Sequence, residues 1–270
     1  VRTWLAPCPA RDKCLAMSHS ICLNADLGEL SGEGGRALDR AMLDIVSRCS
    51  IACGGHAGDA ASMQATLRAA KARHVTVGVH PSYPDKENFG RISVSMDRDS
   101  LLSSLRSQVR SFLAIARENG VPTEHLKPHG ALYNDAASSP DLARLIVQVA
   151  VETNLPAIIG PPESELETAA RNARLGYIPE GFADRRYTDT GRLVARSEPD
   201  AVITLISEQA EQVLLLVTQK KVETADGTLV PMHVRTICLH GDTPGAIESA
   251  LALREVLKAE GLTIAAASAS

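Results

Sequence analysis

Aromatic residues are scarce in this sequence: three Phe, four Tyr and one Trp in 270 residues. Binders of single-stranded nucleic acid stack bases on aromatic rings, so that class is not favoured. A basic surplus is missing as well. The 28 Lys and Arg are scattered and outnumbered by 32 Asp and Glu, giving a net charge of -4, so a duplex binder is not expected. No apolar run approaches the roughly 18 residues of a membrane span. The opening Val1-Arg-Thr-Trp-Leu-Ala-Pro-Cys-Pro holds a short apolar patch that two prolines and then Arg11-Asp12-Lys13 break. It reads neither as a signal peptide nor as an anchor. Residues 1–16, ahead of Met17, are expected to be a disordered extension, and 17–270 a single domain.

Several catalytic signatures are also absent. The chain has no G-x-x-x-x-G-K-[ST] phosphate loop, no G-x-G-x-x-G after its first strand, no H-E-x-x-H and no G-x-S-x-G. Support for a serine nucleophile or for ordinary dinucleotide redox chemistry falls accordingly. Cysteines stand at 8, 14, 22, 49, 53 and 238 with no C-x-x-C pair. They read as buried, reduced thiols of a cytoplasmic protein.

What is present is a regular alternation. Short apolar runs at 21–27, 50–54, 75–81, 125–131, 156–160, 177–183 and 236–242 read as strands. Amphipathic segments at about 36–48, 59–73, 98–119, 139–152, 163–174, 207–219 and 244–260 read as helices. Such alternation implies a parallel sheet with right-handed crossovers. Seven units in this length predict a closed or nearly closed, seven-stranded, TIM-like α/β barrel; an open doubly wound sheet is the alternative. The stretch 184–206 reads as a long loop, and 222–230, centred on Asp226-Gly227, as a hairpin.

Six of the seven runs end in ionisable residues. They supply Asn24, Asp26 and Glu29; His56; His80 and Tyr83; Lys127 and His129; Glu180, Asp184 and Arg185; and His240 and Asp242. In a parallel barrel all strand C-terminal ends share one face, where active sites sit. Each group taken alone is open to a bland reading, because loops are polar. Together they predict one shared pocket. Clustered His, Asp, Lys and Glu suit general acid/base chemistry or metal-assisted attack of water on a carbonyl. Lys127 and His129, two apart on one extended segment, should face the same way. Arg185 or Arg186 is a candidate clamp for a substrate carboxylate.

The blocks Asn-Ala-Asp-Leu-Gly-Glu (24–29), Ile-Ala-Cys-Gly-Gly-His-Ala-Gly-Asp (51–59) and His-Pro-Ser-Tyr-Pro-Asp (80–85) stand out. So do Phe-Gly-Arg (89–91), Leu-Lys-Pro-His-Gly-Ala-Leu-Tyr-Asn (126–134), Glu-Gly-Phe-Ala-Asp-Arg (180–185) and His-Gly-Asp-Thr-Pro-Gly-Ala (240–246). From about residue 21 to 262 the chain resembles the LamB/YcsF family, that of the A subunit of bacterial 5-oxoprolinase. The resemblance implies a seven-stranded barrel of the glycoside hydrolase/deacetylase type. It implies ATP-dependent opening of 5-oxo-L-proline to L-glutamate, with ATP and Mg as co-substrate, in complex with subunits B and C. Related deacetylases hold a metal between an Asp and an H-x-x-x-H pair. Here Ala60 stands four residues after His56, which argues against a metal of that kind; if one binds, Asp26, His56 and His80 are the candidates.

On this reading Asp26 and His56 activate water, and Lys127 and His129 neutralise charge on phosphate or oxyanion. His240 and Asp242 protonate the ring nitrogen or orient the base. Asn24, Glu29, His80, Tyr83, Glu180, Asp184 and Arg185 contact substrate. Two rivals stay open: a metal-dependent amide or carbohydrate deacetylase, and a non-catalytic subunit that delivers substrate. A homo-oligomer is also left open.

Overall fold

The computed structural model describes residues 20–241 and 245–267. The expected 1–16 extension and Asp242 lie outside them. Seven parallel strands form the core: β1 (Ser20–Leu27), β2 (Arg48–Ala52), β3 (Thr76–His80), β4 (Thr123–Leu126), β5 (Ala157–Gly160), β6 (Gly176–Phe182) and β9 (Thr236–Leu239). They pair in that order, and β9 pairs with both β6 and β1, which closes the ring. The seven-stranded barrel read from the alternation is what the chain forms. Between β6 and β9 lies an antiparallel hairpin of β7 (Lys221–Glu223) and β8 (Leu229–Pro231), with Val222 opposite Val230. A short β10 (Thr263–Ile264) adds to β1.

Eight α-helices are described: α1 (Gly32–Leu43), α2 (Ala60–Ala72), α3 (Arg98–Glu118), α4 (Gly130–Ser138), α5 (Pro140–Glu152), α6 (Glu165–Asn172), α7 (Ile206–Leu214) and α8 (Ala246–Ala259). A π-helical turn, Leu215–Gln219, extends α7. Local chemistry sets their starts. The Asp59 carboxylate accepts from the Ser62 N–H at 2.8 Å, and the Ser62 hydroxyl accepts from the Asp59 N–H, a reciprocal cap on α2. Ser139 caps α5, whose first residue is Pro140.

The expected strand 125–131 is corrected to a strand ending at Leu126 and a helix opening at Gly130. Pro128 has no N–H to give a ladder. The Lys127 and His129 N–H groups still donate to the Val79 and Pro81 carbonyls, so the segment stays extended until Gly130 turns it. One short apolar run thus contains the end of a strand and the start of a helix.

Much of the barrel interior is polar, and its polar contacts cross between strands that are not neighbours. Arg48 and Ser50 of β2 reach the His125 ring of β4 at 2.9 and 3.1 Å. A Cβ on Gly78 of β3 would lie 2.2 Å from that ring, so glycine leaves the room His125 occupies. Arg48 also donates to the Ala267 carbonyl at 2.6 Å, which ties the end of the described chain across the barrel floor. Residues of opposite parity, such as Leu23, Ala25 and Leu27, join the apolar cluster shared with Met42, Leu67 and Leu105 of the helices. No described helix is long and apolar enough to cross a membrane.

Candidate active site

Asp26 stands near the end of β1, and Lys127 follows β4. The Lys127 ammonium, 1% exposed, lies 2.9 and 3.1 Å from the two Asp26 oxygens and 2.8 Å from Glu180 of β6. It also approaches the Asn24 amide oxygen at 3.4 Å and the Cys238 sulfur at 3.2 Å. Burial works to strip the Lys127 proton, but Asp26, Cys238 and Glu180 outweigh it and hold its pKa well above the usual lysine value. Burial likewise pushes the Asp26 carboxyl up, and His80 and Lys127 overcome that to hold it well below the usual carboxylate range. The result is a buried, ionised group beneath the mouth of the barrel. Cys238 is a buried free thiol, as are Cys22, Cys49 and Cys53.

Above it stand three imidazoles and a carboxylate. His56 Nε2 is 2.9 Å from Glu29 Oε1, and His129 Nδ1 is 3.3 Å from the same oxygen. His80 Nε2 lies 3.0 Å from His129 Nδ1 and 3.3 Å from Asp26 Oδ2. Burial above all, with the His80 ring close by, lowers the His56 pKa to about 2. Burial also holds His129 well below the ordinary histidine value. Glu29, His56, His80 and His129 each bring one donor atom within 4.8 Å of the others, as do Asp26, Cys238 and His240.

The Phe-Gly-Arg block forms the wall over these rings. The Phe89 carbonyl accepts from His129 Nε2 at 2.9 Å, and the Phe89 ring meets His56 and His129 edge-on. Gly90 sits at φ +64, and a Cβ there would lie 2.9 Å from His56 Cβ and 3.1 Å from His129 Cδ2. Gly130, at φ +57, would place a Cβ 2.4 Å from the Gly90 carbonyl. Both positions need the left-handed backbone and the missing side chain.

On the far side His240, following β9, shares its Nδ1 with both Asp184 oxygens at 2.8 Å. The loop after β6 is fixed from below: the Gln212 amide of α7 donates to the carbonyls of Phe182, Ala183 and Arg185. Arg185 donates to the carbonyls of Val194 and Ala201, bracing the irregular stretch 184–206.

Asp26, Glu29, His80, Lys127, His129, Arg185 and His240 line one cavity of about 720 Å³. That is the size of a small-molecule site. His56 stacks on His129 at its wall. Four expected contact residues do not line it. Asn24 lies deeper, donating to Thr236 at 2.8 Å. Tyr83 donates to Asp135, which does line the cavity, so its hydroxyl positions the wall. Asp184 backs His240, and Glu180 backs Lys127. Arg91 and Arg196 line the cavity and are not among the residues expected from the sequence. Arg91 carried a signal, since it stands in the Phe-Gly-Arg block; Arg196, in an irregular stretch, carried none.

The profile of the LamB/YcsF family matches residues 21–270. The chain belongs to the LamB/YcsF family. Among its relatives, the 5-oxoprolinase A subunit of Methylococcus capsulatus is 42% identical over 93% of this chain and 96% of its own. That of Chloroflexus aggregans is 43% identical over 91% and 98%. The crystal structure of a lactam utilization protein from Thermus thermophilus superposes with a TM-score of 0.83 at 35% identity. It covers 92% of this chain and all of that one. The LamB/YcsF blocks at 24–29, 80–85, 89–91, 126–134 and 180–185 all supply residues to the mouth of this barrel or its immediate support.

Proposed function

We propose that this chain is the A subunit of an ATP-coupled 5-oxoprolinase and opens 5-oxo-L-proline to L-glutamate together with partner subunits B and C. The carrying observation is the convergence of Asp26, His80, Lys127, His129 and His240 on one cavity, in a chain whose near-full-length relatives bear that subunit's name.

A five-membered lactam is an almost unstrained amide, so its hydrolysis needs coupling. Transfer of the γ-phosphoryl group of ATP to the lactam oxygen makes the ring carbon electrophilic. Water adds to that carbon, the ring C–N bond breaks with a proton passing to nitrogen, and an acyl phosphate results. A second water releases phosphate and glutamate. Asp26, kept ionised beside Lys127, suits the base that takes the proton of water. His240, whose pKa Asp184 raises against the effect of burial, suits the acid that protonates nitrogen. Arg91, Arg185 and Arg196 border the cavity and suit anionic groups, the substrate carboxylate or a phosphoryl group. ATP, with Mg, is the co-substrate, and the chain's lack of a phosphate loop favours one of the partner subunits for holding it.

The test is reconstitution with subunits B and C, followed by glutamate and ADP release. Release that needs this chain and 5-oxoproline is expected. Equal release without this chain, or none with all three subunits, overturns the reading.

A further inference from the structure

We propose that Glu29, His56, His80 and His129 form a binding site for one divalent transition-metal ion of the zinc class. The first argument is spacing. Four donors about 2.0–2.1 Å from zinc in a tetrahedron stand roughly 3.3 Å from one another. Four of the six separations are 2.9 Å for His56 Nε2 to Glu29 Oε1, 3.3 Å for His129 Nδ1 to Glu29 Oε1, 3.8 Å for His80 Nε2 to Glu29 Oε1 and 3.0 Å for His80 Nε2 to His129 Nδ1, and all six lie within 4.8 Å. They bracket that value.

The second argument concerns protons. His80 Nδ1 lies 2.7 Å from the Lys127 carbonyl, which can only accept, so Nδ1 carries the hydrogen. His129 Nε2 lies 2.9 Å from the Phe89 carbonyl, so there too the hydrogen is on the outer nitrogen. In the neutral rings both inner nitrogens then present lone pairs, aimed at each other across 3.0 Å. A cation between them turns this repulsion into two bonds. Outer N–H groups given to backbone carbonyls are also how metal-ligating imidazoles are oriented. His56 lacks such an outer bond, since its Nδ1 is buried without a hydrogen-bond partner; its ring lies stacked on His129 and must turn for both lone pairs to meet one ion.

The donor set selects the ion. Three imidazoles and one carboxylate suit zinc, cobalt or nickel and disfavour magnesium and calcium, which prefer oxygen. Glu29, His80 and His129 border the cavity, so an ion among them faces the space where substrate would sit. It would lower the pKa of a bound water. Asp26 Oδ2, 3.3 Å from His80 Nε2, is placed to take that proton. The ion's part in ring opening rests on the function proposed above; its binding does not.

The experiment uses the full chain without an affinity tag, treated with chelator and titrated separately with Zn²⁺, Co²⁺ and Mg²⁺ by calorimetry. One equivalent of Zn²⁺ and of Co²⁺, and no Mg²⁺, is expected. His80→Gln and His129→Gln should each weaken Zn²⁺ binding at least ~10-fold, and His233→Gln, away from the cluster, should not. Failure to bind Zn²⁺ and Co²⁺, or binding unchanged in both cluster variants, overturns the proposal and leaves a shared proton between the rings. Should the variants not fold, the wild-type Co²⁺ spectrum decides. Intense visible bands of a four- or five-coordinate ion support the site, and weak bands of a solvated ion overturn it. Glutamate release by the assembled complex is read separately. Release that persists after complete metal removal overturns the ion's catalytic part while leaving the proposed function standing.

Discussion

His240 and Asp184 are bound face to face, with one imidazole nitrogen 2.8 Å from each carboxylate oxygen. Burial would discharge His240, but the Asp184 charge reverses this and raises its pKa. Burial raises Asp184 in turn, and His240 brings it below the ordinary carboxylate value. A raised folded-state histidine contributes stability below its unfolded value, about 6.5, and loses it as pH rises through the folded value. A lowered carboxylate contributes above about 3.9 and loses it as pH falls through its folded value. The Tm difference between wild type and His240→Gln should therefore be largest from about pH 4 to 6.5 and shrink towards alkaline pH. Thermal melts across pH check this; a flat difference would count against the ion pair.

Lys127→Met should leave Asp26 and Glu180 buried without their cation. A loss of about 3–5 kcal/mol is expected, visible as a lower denaturant midpoint. Adding Glu180→Gln should recover part of that stability, because it removes one of the orphaned charges. Activity should stay absent in both variants, since Asp26 no longer has its counter-ion.

Asp26→Asn keeps the shape and removes the base. Turnover in the assembled complex should fall at least ~10²-fold while the fold survives. Single-turnover glutamate release reads the chemical step directly, and near-normal release would exclude the role.

Gly90→Ala tests the wall. The new methyl meets His56 and His129, and the backbone there is left-handed. A destabilisation of about 1–3 kcal/mol is expected. The fall in kcat should exceed the change in KM for 5-oxoproline, because the displaced rings belong to the reacting face. Ile92→Ala, at an exposed neighbour, should leave stability nearly unchanged.

The ring of strands was legible because each strand alternates in burial partners and each crossover carries a helix-length amphipathic run. The shared mouth was legible because parallel strands must all end on one face. Depth along the axis was not. His125 and His129 have the same side chain and the same parity, yet four residues separate a floor position against Arg48 from a mouth position against His80. Sequence spacing says which way a residue points, and the stagger of neighbouring strands sets how high it stands. The same ambiguity hides Asn24 below the cavity while Asp26 reaches it. Helix α4 was missed because Pro128 and Gly130 divide a run whose composition stays apolar across the break. Glu29 was foreseen as a substrate contact; its place among three histidines depends on Gly90 and Phe89, which lie some sixty residues away in sequence.

The alternation of most strands between a polar lumen and an oily exterior separates two kinds of heritable change. Substitutions at Leu23, Ala25 or Leu27 should be felt in folding yield and hardly in chemistry, while Asp26→Asn should do the reverse. A lineage could therefore retune what such a barrel transforms without first rebuilding what keeps it upright.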